Sequence, residues 1–295
     1  MRKFLKWLAR IAGGLLLVAV AVFAFGWFQS RSGLERSYVV NDPALAMRRD
    51  AQALERGGHL FATRGCADCH GAGGAGQLVL DAGPVMKLIA PNITPGGVVK
   101  DYSADQIATS IRHGVKSDGH PMVFMPSGEF AGMGDEDTAA LVAYLQSLPA
   151  SANDPGRLEI RPVGRVMYAL GKLPLFSAEH IDHSPRSRVA PAIAATAEYG
   201  AYIAQGCTGC HGGNFAGQHV PGTPPSFPNS RNLTPTGLGS WTAADFRRAL
   251  REGKRPDGSA IDPFMPWRAY SKMTDVEIDA IWAFLQTLPP AQTNK

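Results

Sequence analysis

The chain has 295 residues, enough for about two domains, and 45 % of them are apolar, so it fills cores and is not disordered in bulk. Gly and Pro together make up about 19 %, which implies long ordered loops, while four cysteines are too few for a disulfide scaffold of this size. The net charge of +4 comes from Arg2, Lys3, Lys6 and Arg10; the remaining 25 basic and 25 acidic residues cancel, which argues against a nucleic-acid partner.

Residues Ile11–Phe28 form an uncharged apolar run of 18 residues behind that basic end. As a helix it would span about 27 Å, close to the hydrocarbon thickness of a bilayer. Gly26-Trp27-Phe28 closes the run at an aromatic-belt position, and Arg31 follows. The one A-x-A site in this N-terminal region, Ala19-Val20-Ala21, lies inside the run, so cleavage there would leave a greasy new terminus. An uncleaved signal anchor over residues 1–30 is expected, with a cleaved signal as the alternative. Both export the rest of the chain.

Beyond residue 44 the sequence repeats with an offset of 139–141 residues. Cys66-Ala-Asp-Cys69-His70 returns as Cys207-Thr-Gly-Cys210-His211, and Asn92-Ile-Thr94-Pro95 returns as Asn232-Leu-Thr234-Pro235. Phe124-Met125-Pro126 returns as Phe264-Met265-Pro266, and Tyr144-Leu-Gln-Ser-Leu-Pro149 as Phe284-Leu-Gln-Thr-Leu-Pro289. Two copies of one domain are expected, over 44–150 and 194–290, with a linker over 151–193.

Helices are predicted in matched order. One precedes the first cysteine of each copy, over about 44–62 and 195–205. Ser103 with Gln106 reads as a capping box for a helix that stops at Gly114; Thr242 and Asp245 open its partner, which stops at Gly253. Thr274 with Glu277 opens the last helix, which carries Ile278, Ile281, Trp282 and Leu285 at helical spacing. Leu141, Val142, Leu145 and Leu148 mark its counterpart. No stretch alternates long enough for a strand, so the expected class is all-α.

C-x-x-C-H reads as a c-type haem attachment site. Two thiols three residues apart add across the vinyl groups of one haem, and the adjacent histidine falls under the iron. Cys66, Cys69, His70, Cys207, Cys210 and His211 are therefore the expected haem-binding residues, with two covalently attached haem c groups as cofactors. A zinc site and a thioredoxin-like pair are the alternatives; the first needs more ligands per site and the second a βαβ context. A second axial ligand is expected from Met125 and Met265, which lie 55 and 54 residues after His70 and His211 and precede prolines that hold them extended. Met133 and Met273 also repeat and are the rival pair, or core fillers. His113 and His120 match Glu252 and Ser259, so they make no repeated site, and His59, His180, His183 and His219 have no counterpart. Pro91 and Arg231 hold matched positions from which a backbone carbonyl would accept the histidine Nδ1–H. The two Asn-x-Thr sequences match glycosylation sequons, but a loop-packing or propionate-binding role is preferred.

These residues carry a resemblance. Over residues 45–290 the chain resembles the membrane-anchored multihaem cytochrome c subunits of periplasmic alcohol and sugar-acid dehydrogenases. The two C-x-x-C-H motifs, Pro91-Asn-Ile-Thr-Pro95, both Met-Pro pairs and the linker Arg161–Lys172 carry it. Those subunits hold three haems, whereas this chain has two attachment sites, and Arg231 stands where the first copy has Pro91. The resemblance implies two tandem class I-like cytochrome c domains behind a transmembrane helix, on the periplasmic side of the cytoplasmic membrane. It implies single-electron relay without bond-making chemistry, between a dehydrogenase or quinol pathway and a terminal oxidase or small cytochrome. A dihaem peroxidase or thiosulfate dehydrogenase is the alternative, and a gas sensor the third reading; both need an open distal site. The apolar and basic stretch Val163–Phe176 is expected to pack between the domains, or to lie on the membrane near a quinone.

Overall fold

Helix α1, Arg2–Glu35, carries the apolar run, and it is long and apolar enough to cross a membrane. A computed structural model of the chain describes residues 2–224 and 226–294. The rest of α1's surface is bare until its last turns, where Gly26, Ser30 and Gly33 are buried.

The first domain follows. Asp50 opens α2, Ala51–Thr63, by accepting the Ala53 amide at 3.0 Å. The Cys-x-x-Cys-His turn is α3, Cys66–His70. A hairpin of β1, Gln77–Asp81, and β2, Met86–Ala90, comes next. Helix α4, Ala104–His113, has the expected Ser103/Gln106 capping box and stops at Gly114. The one-turn α5, Ser127–Phe130, follows Met125-Pro126, and α6, Asp135–Ser147, puts three acids in its first turn, where they meet the helix dipole. Strand β3, Glu159–Ile160, and α7, Pro162–Ala169, belong to the connector.

The second domain repeats the helical plan: α8, Ala197–Ala204; α9, Thr208–His211; α10, Pro235–Leu238; α11, Ala243–Glu252; α12, Trp267–Tyr270; and α13, Asp275–Thr287. Thr242 with Asp245 and Thr274 with Glu277 form the capping boxes of α11 and α13.

In each domain the first helix crosses the last at a glycine. A Cβ on Gly57 would overlap the Ala140 carbonyl oxygen of α6, and one on Gly200 would overlap the Ala280 carbonyl oxygen of α13. Each crossing anchors a separate core. Leu60, Phe61, Ile107, Ile111, Leu141 and Leu145 fill the first; Tyr199, Ile203, Phe246, Leu250, Ile278 and Ile281 fill the second.

Two expectations are corrected. The chain is predominantly helical, but the expected lack of strands does not hold, because β1, β2 and β3 form a small antiparallel sheet with Gln77 opposite Ala90 and Met86 opposite Ile160. Every residue of β1 is exposed, so its sequence shows no alternation, and a bulge between Leu78 and Leu80 breaks the register. Helix α7 does not lie between the two domains. It packs on the end of α1, with Val166 against Gly26, the Arg165 guanidinium 4.2 Å from the Trp27 ring centroid, and Arg165 Nη1 donating to Ser30 Oγ at 2.7 Å. The connector beyond it buries Leu173, Leu175 and Phe176 against Val85, Val123 and Phe124 of the first domain.

Candidate functional site

Both Cys-x-x-Cys-His turns end in a glycine at positive φ, Gly71 and Gly212. The chain then doubles back, and Gly76 N donates to the His70 carbonyl at 2.8 Å as Gly217 N donates to that of His211 at 2.9 Å. At those two glycines a second loop passes in direct contact: a Cβ on Gly76 would lie 2.6 Å from Asn92 N, and one on Gly217 2.9 Å from Asn232 N. Gly76 and Gly217 have φ of 79° and 75°, so both the conformation and the close approach require glycine.

That second loop delivers the carbonyls. His70 Nδ1 donates to Pro91 O at 2.8 Å, and His211 Nδ1 donates to Arg231 O at 2.7 Å. Arg231 serves as well as proline because a backbone oxygen is the partner. Each bond fixes the tautomer and leaves Nε2 as the nitrogen free to bind a metal. Burial holds both imidazoles below their usual pKa, hence neutral at neutral pH.

Asn92 and Asn232 pin the loops. Asn92 Oδ1 accepts the Thr94 amide at 3.0 Å and hydroxyl at 2.7 Å, while Nδ2 donates to Ser151 O at 2.8 Å. Asn232 repeats the pattern with Thr234 and with Ala291 O at 2.7 Å. Both amides are buried, which matches loop packing and leaves no room for a glycan.

The donor set fits haem c. Burial pushes the Cys66 and Cys207 thiols up to about 12 and raises those of Cys69 and Cys210, so all four are neutral thiols in the free chain. Among the described residues no group of three or more His, Cys, Asp or Glu could hold a bare metal ion, which disfavours zinc. Two thiols and one oriented imidazole per turn are what covalent attachment and one axial bond need.

Met125 and Met265 stand on the loops before α5 and α12, each partly buried against its own core. The first loop is braced: Phe124 has φ of 60°, its amide donates to Leu175 O at 2.7 Å, and Ser177 Oγ donates to Met125 O at 2.6 Å. On the second loop Phe264 is exposed and meets only the ring of Phe227, 4.7 Å away, among the aromatic pairs of the described residues. Met133 and Met273, the rivals, are 5 % exposed and line a small cavity between the domains.

Four further histidines are tied up structurally. His113 is fully buried, with Nε2 2.9 Å from Asp42 Oδ2 and Nδ1 2.9 Å from His183 Nδ1. His120 donates to Arg36 O at 3.2 Å. His59, without a counterpart in the repeat, reaches Glu277 of the second domain at 2.8 Å.

Sequence patterns missed the charges at the domain boundary. The inter-domain cavity is lined by Arg64, Glu129, Tyr202, Cys207 and Tyr270 as well as by the two methionines. The Glu129 carboxylate lies on Gly209, inside the Cys207–Cys210 turn. Burial pushes its pKa up to about 7. Burial raises the pKa of Asp68, inside the Cys66–Cys69 turn, and the charge of Lys272 of the second domain opposes the rise. The usable signal was the break in the repeat: Ala269 and Gly132 stand at the matched positions.

The family model described as Cytochrome c matches residues 54–149 and 197–289. The gluconate 2-dehydrogenase cytochrome c subunit of Pantoea cypripedii is 28 % identical over 83 % of this chain and 62 % of its own length. The fructose dehydrogenase cytochrome subunit of Gluconobacter japonicus is 36 % identical over 29 % of this chain and 19 % of its own length. A diheme cytochrome c-type protein of Cereibacter sphaeroides is 38 % identical over 20 % of this chain and 21 % of its own length. The matched part of this chain thus spans less than two thirds of each relative.

Proposed function

The chain belongs to the cytochrome c family, and on that premise we propose that it is a membrane-tethered dihaem electron carrier. Its two class I-like domains would stand on the periplasmic side of the cytoplasmic membrane, held by α1. The repeated histidine–carbonyl bond carries the reading, since each copy presents two thiols and one oriented Nε2 in the same frame. Each haem, when bound, supplies one Fe(III)/Fe(II) couple.

The chain's residues do the rest. Cys66, Cys69, Cys207 and Cys210 would hold the groups covalently. His70 and His211 would each supply Nε2, in the tautomer that Pro91 O and Arg231 O impose. Met125 and Met265 would supply the second ligand of each iron and so keep substrates from it. Two attachment sites agree with a diheme relative. Relatives named as cytochrome subunits of fructose and gluconate dehydrogenases support a dehydrogenase as the electron donor. A terminal oxidase or a small cytochrome would accept.

Mass spectrometry of denatured protein from a host that matures c-type cytochromes tests the reading. Two haem additions are expected, each reduced by one electron in a titration with dithionite. Zero or one addition refutes it.

A further inference from the structure

Segments that the repeat matches meet at the domain boundary, and one of them lies on the other domain's haem-attachment turn. The segment after Met125-Pro126 lies on Cys207–Cys210: Glu129 rests on Gly209, and Gly132 lies against Gln205. The segment after Met265-Pro266 reaches α2 of the first domain and lines the boundary cavity through Tyr270 and Met273. The repeat pairs these positions as Glu129 with Ala269, Gly132 with Lys272 and Asp68 with Gly209. Geometry is conserved across the pair while charge is not. The first turn has an acid of its own, Asp68. The second turn has no acid of its own and receives one, buried, from the first domain.

A negative charge beside a haem favours Fe(III), and a positive charge favours Fe(II). We propose that Glu129 is a tuning residue of the second haem, supplied across the domain boundary to lower that haem's potential. The proposal rests on both haems being attached as argued above. Ionised, the Glu129 carboxylate would disfavour an added electron at that haem; protonated, it would not.

The groups that face Glu129 include one cation, Arg64 of α2. The others are Tyr202 and Gln205 at the end of α8, Tyr270 of α12, and the sulfurs of Cys207 and Cys210, which are neutral as thioethers. Arg64 stands two residues before Cys66 and lines the cavity with Cys207, so it flanks both attachment turns.

Spectroelectrochemical titration of the full-length holoprotein in detergent at pH 5.5 and 8.5 tests this, on samples whose mass shows two haems. A unit charge acting over about 10 Å at an effective dielectric constant near 20 changes an equilibrium on the order of tenfold. Glu129→Gln should raise one of the two components at pH 8.5 by a shift of that order in the Fe(II) to Fe(III) ratio, and leave it unmoved at pH 5.5. Glu129→Asp should keep the pH dependence of that component. Two unmoved components in Glu129→Gln overturn the proposal. So does an equal shift of both components, which is what a merely loosened interface would give. Loss of a haem from the wild-type mass would instead refute the dihaem reading itself.

Discussion

His59 Nε2 donates to the Glu277 carboxylate at 2.8 Å, tying α2 of the first domain to the capping box of α13 in the second. Tyr202 of α8 donates to Asp137 of α6 at 2.7 Å and makes the reciprocal tie. Asp137 and Glu277 are 140 residues apart, and the crossing glycines Gly57 and Gly200 align His59 with Tyr202. The boundary is therefore a pseudo-twofold, with Arg56 at its centre, paired to Asp137 at 2.8 Å and to Glu277 at 3.6 Å. Such an interface holds the two attachment turns in a fixed relation, which an electron relay needs and two loosely strung domains would lack.

The tie should fail in acid. Burial disfavours the Glu277 charge, but hydrogen bonds from His59 and the Thr274 amide, with Arg56 nearby, outweigh it and hold the carboxyl down at about 2. An unfolded glutamate titrates near 4.5. The depressed value means that the stabilisation is fully present above pH 4.5 and is lost as the pH falls from there towards 2. The shift is worth roughly 3 kcal/mol at about 1.4 kcal/mol per unit. Glu277→Gln should therefore unfold with a flatter pH dependence than the wild type between pH 5.5 and 2.5, in a series of urea titrations. Parallel curves for the two proteins would remove Glu277 from the account.

Most of this fold was readable from one pattern, the repeat, because helix caps and the C-x-x-C-H turn are local signals. Ser103, Thr242 and Thr274 cap where their spacing says they should. The histidine carbonyls were also legible, since a matched loop position determines a backbone oxygen whatever the side chain. The sheet was not: β1 is exposed on both faces and pairs through a bulge, so burial imposes no period on it. The boundary charges were invisible for a related reason. Glu129 and Lys272 make no pattern within their own domain, and their meaning depends on a surface contributed by the other copy.

Gly200→Ala should weaken the second domain by about 1–3 kcal/mol, because the added methyl meets the Ala280 carbonyl, which is helix backbone and cannot give way. Gly57→Ala should do the same to the first domain. Gly206→Ala is the control, with nothing within 4 Å of its Cβ. Chemical denaturation followed at the haem absorption of each domain checks this. Equal stability of Gly200→Ala and Gly206→Ala would deny the close crossing.

The end of α1 does two jobs, and truncations should separate them. A protein lacking residues 1–24 behind a cleavable signal should be released from membranes and keep Trp27 and Ser30 for Arg165. One lacking residues 1–30 should also be released, but Arg165 loses both partners. Limited proteolysis should then cut the connector around residues 152–172 faster in the shorter protein. Identical cleavage rates would mean that α7 does not depend on α1.

Axial ligation is where one atom decides function. If Met125 and Met265 bind iron, each thioether favours Fe(II) and keeps the distal side closed. Met265→Ala should give a high-spin haem that binds carbon monoxide, and Met265→His should stay low-spin with a lowered potential. Met273→Ala should cost only packing, about 2 kcal/mol or more for a methionine 5 % exposed. Met125→Ala should open the first haem alone, because the two cores are separate. Ser177→Ala adds a test that only the first copy allows: it removes the hydroxyl that holds the Met125 carbonyl, so the first haem should gain a fraction of high-spin character while the second keeps its spectrum. A high-spin signal from Met273→Ala with an unchanged Met265→Ala would transfer the ligand role to the buried pair. The carrier function would survive that exchange, since Met273 is a thioether too, but the loop before α12 would lose its purpose.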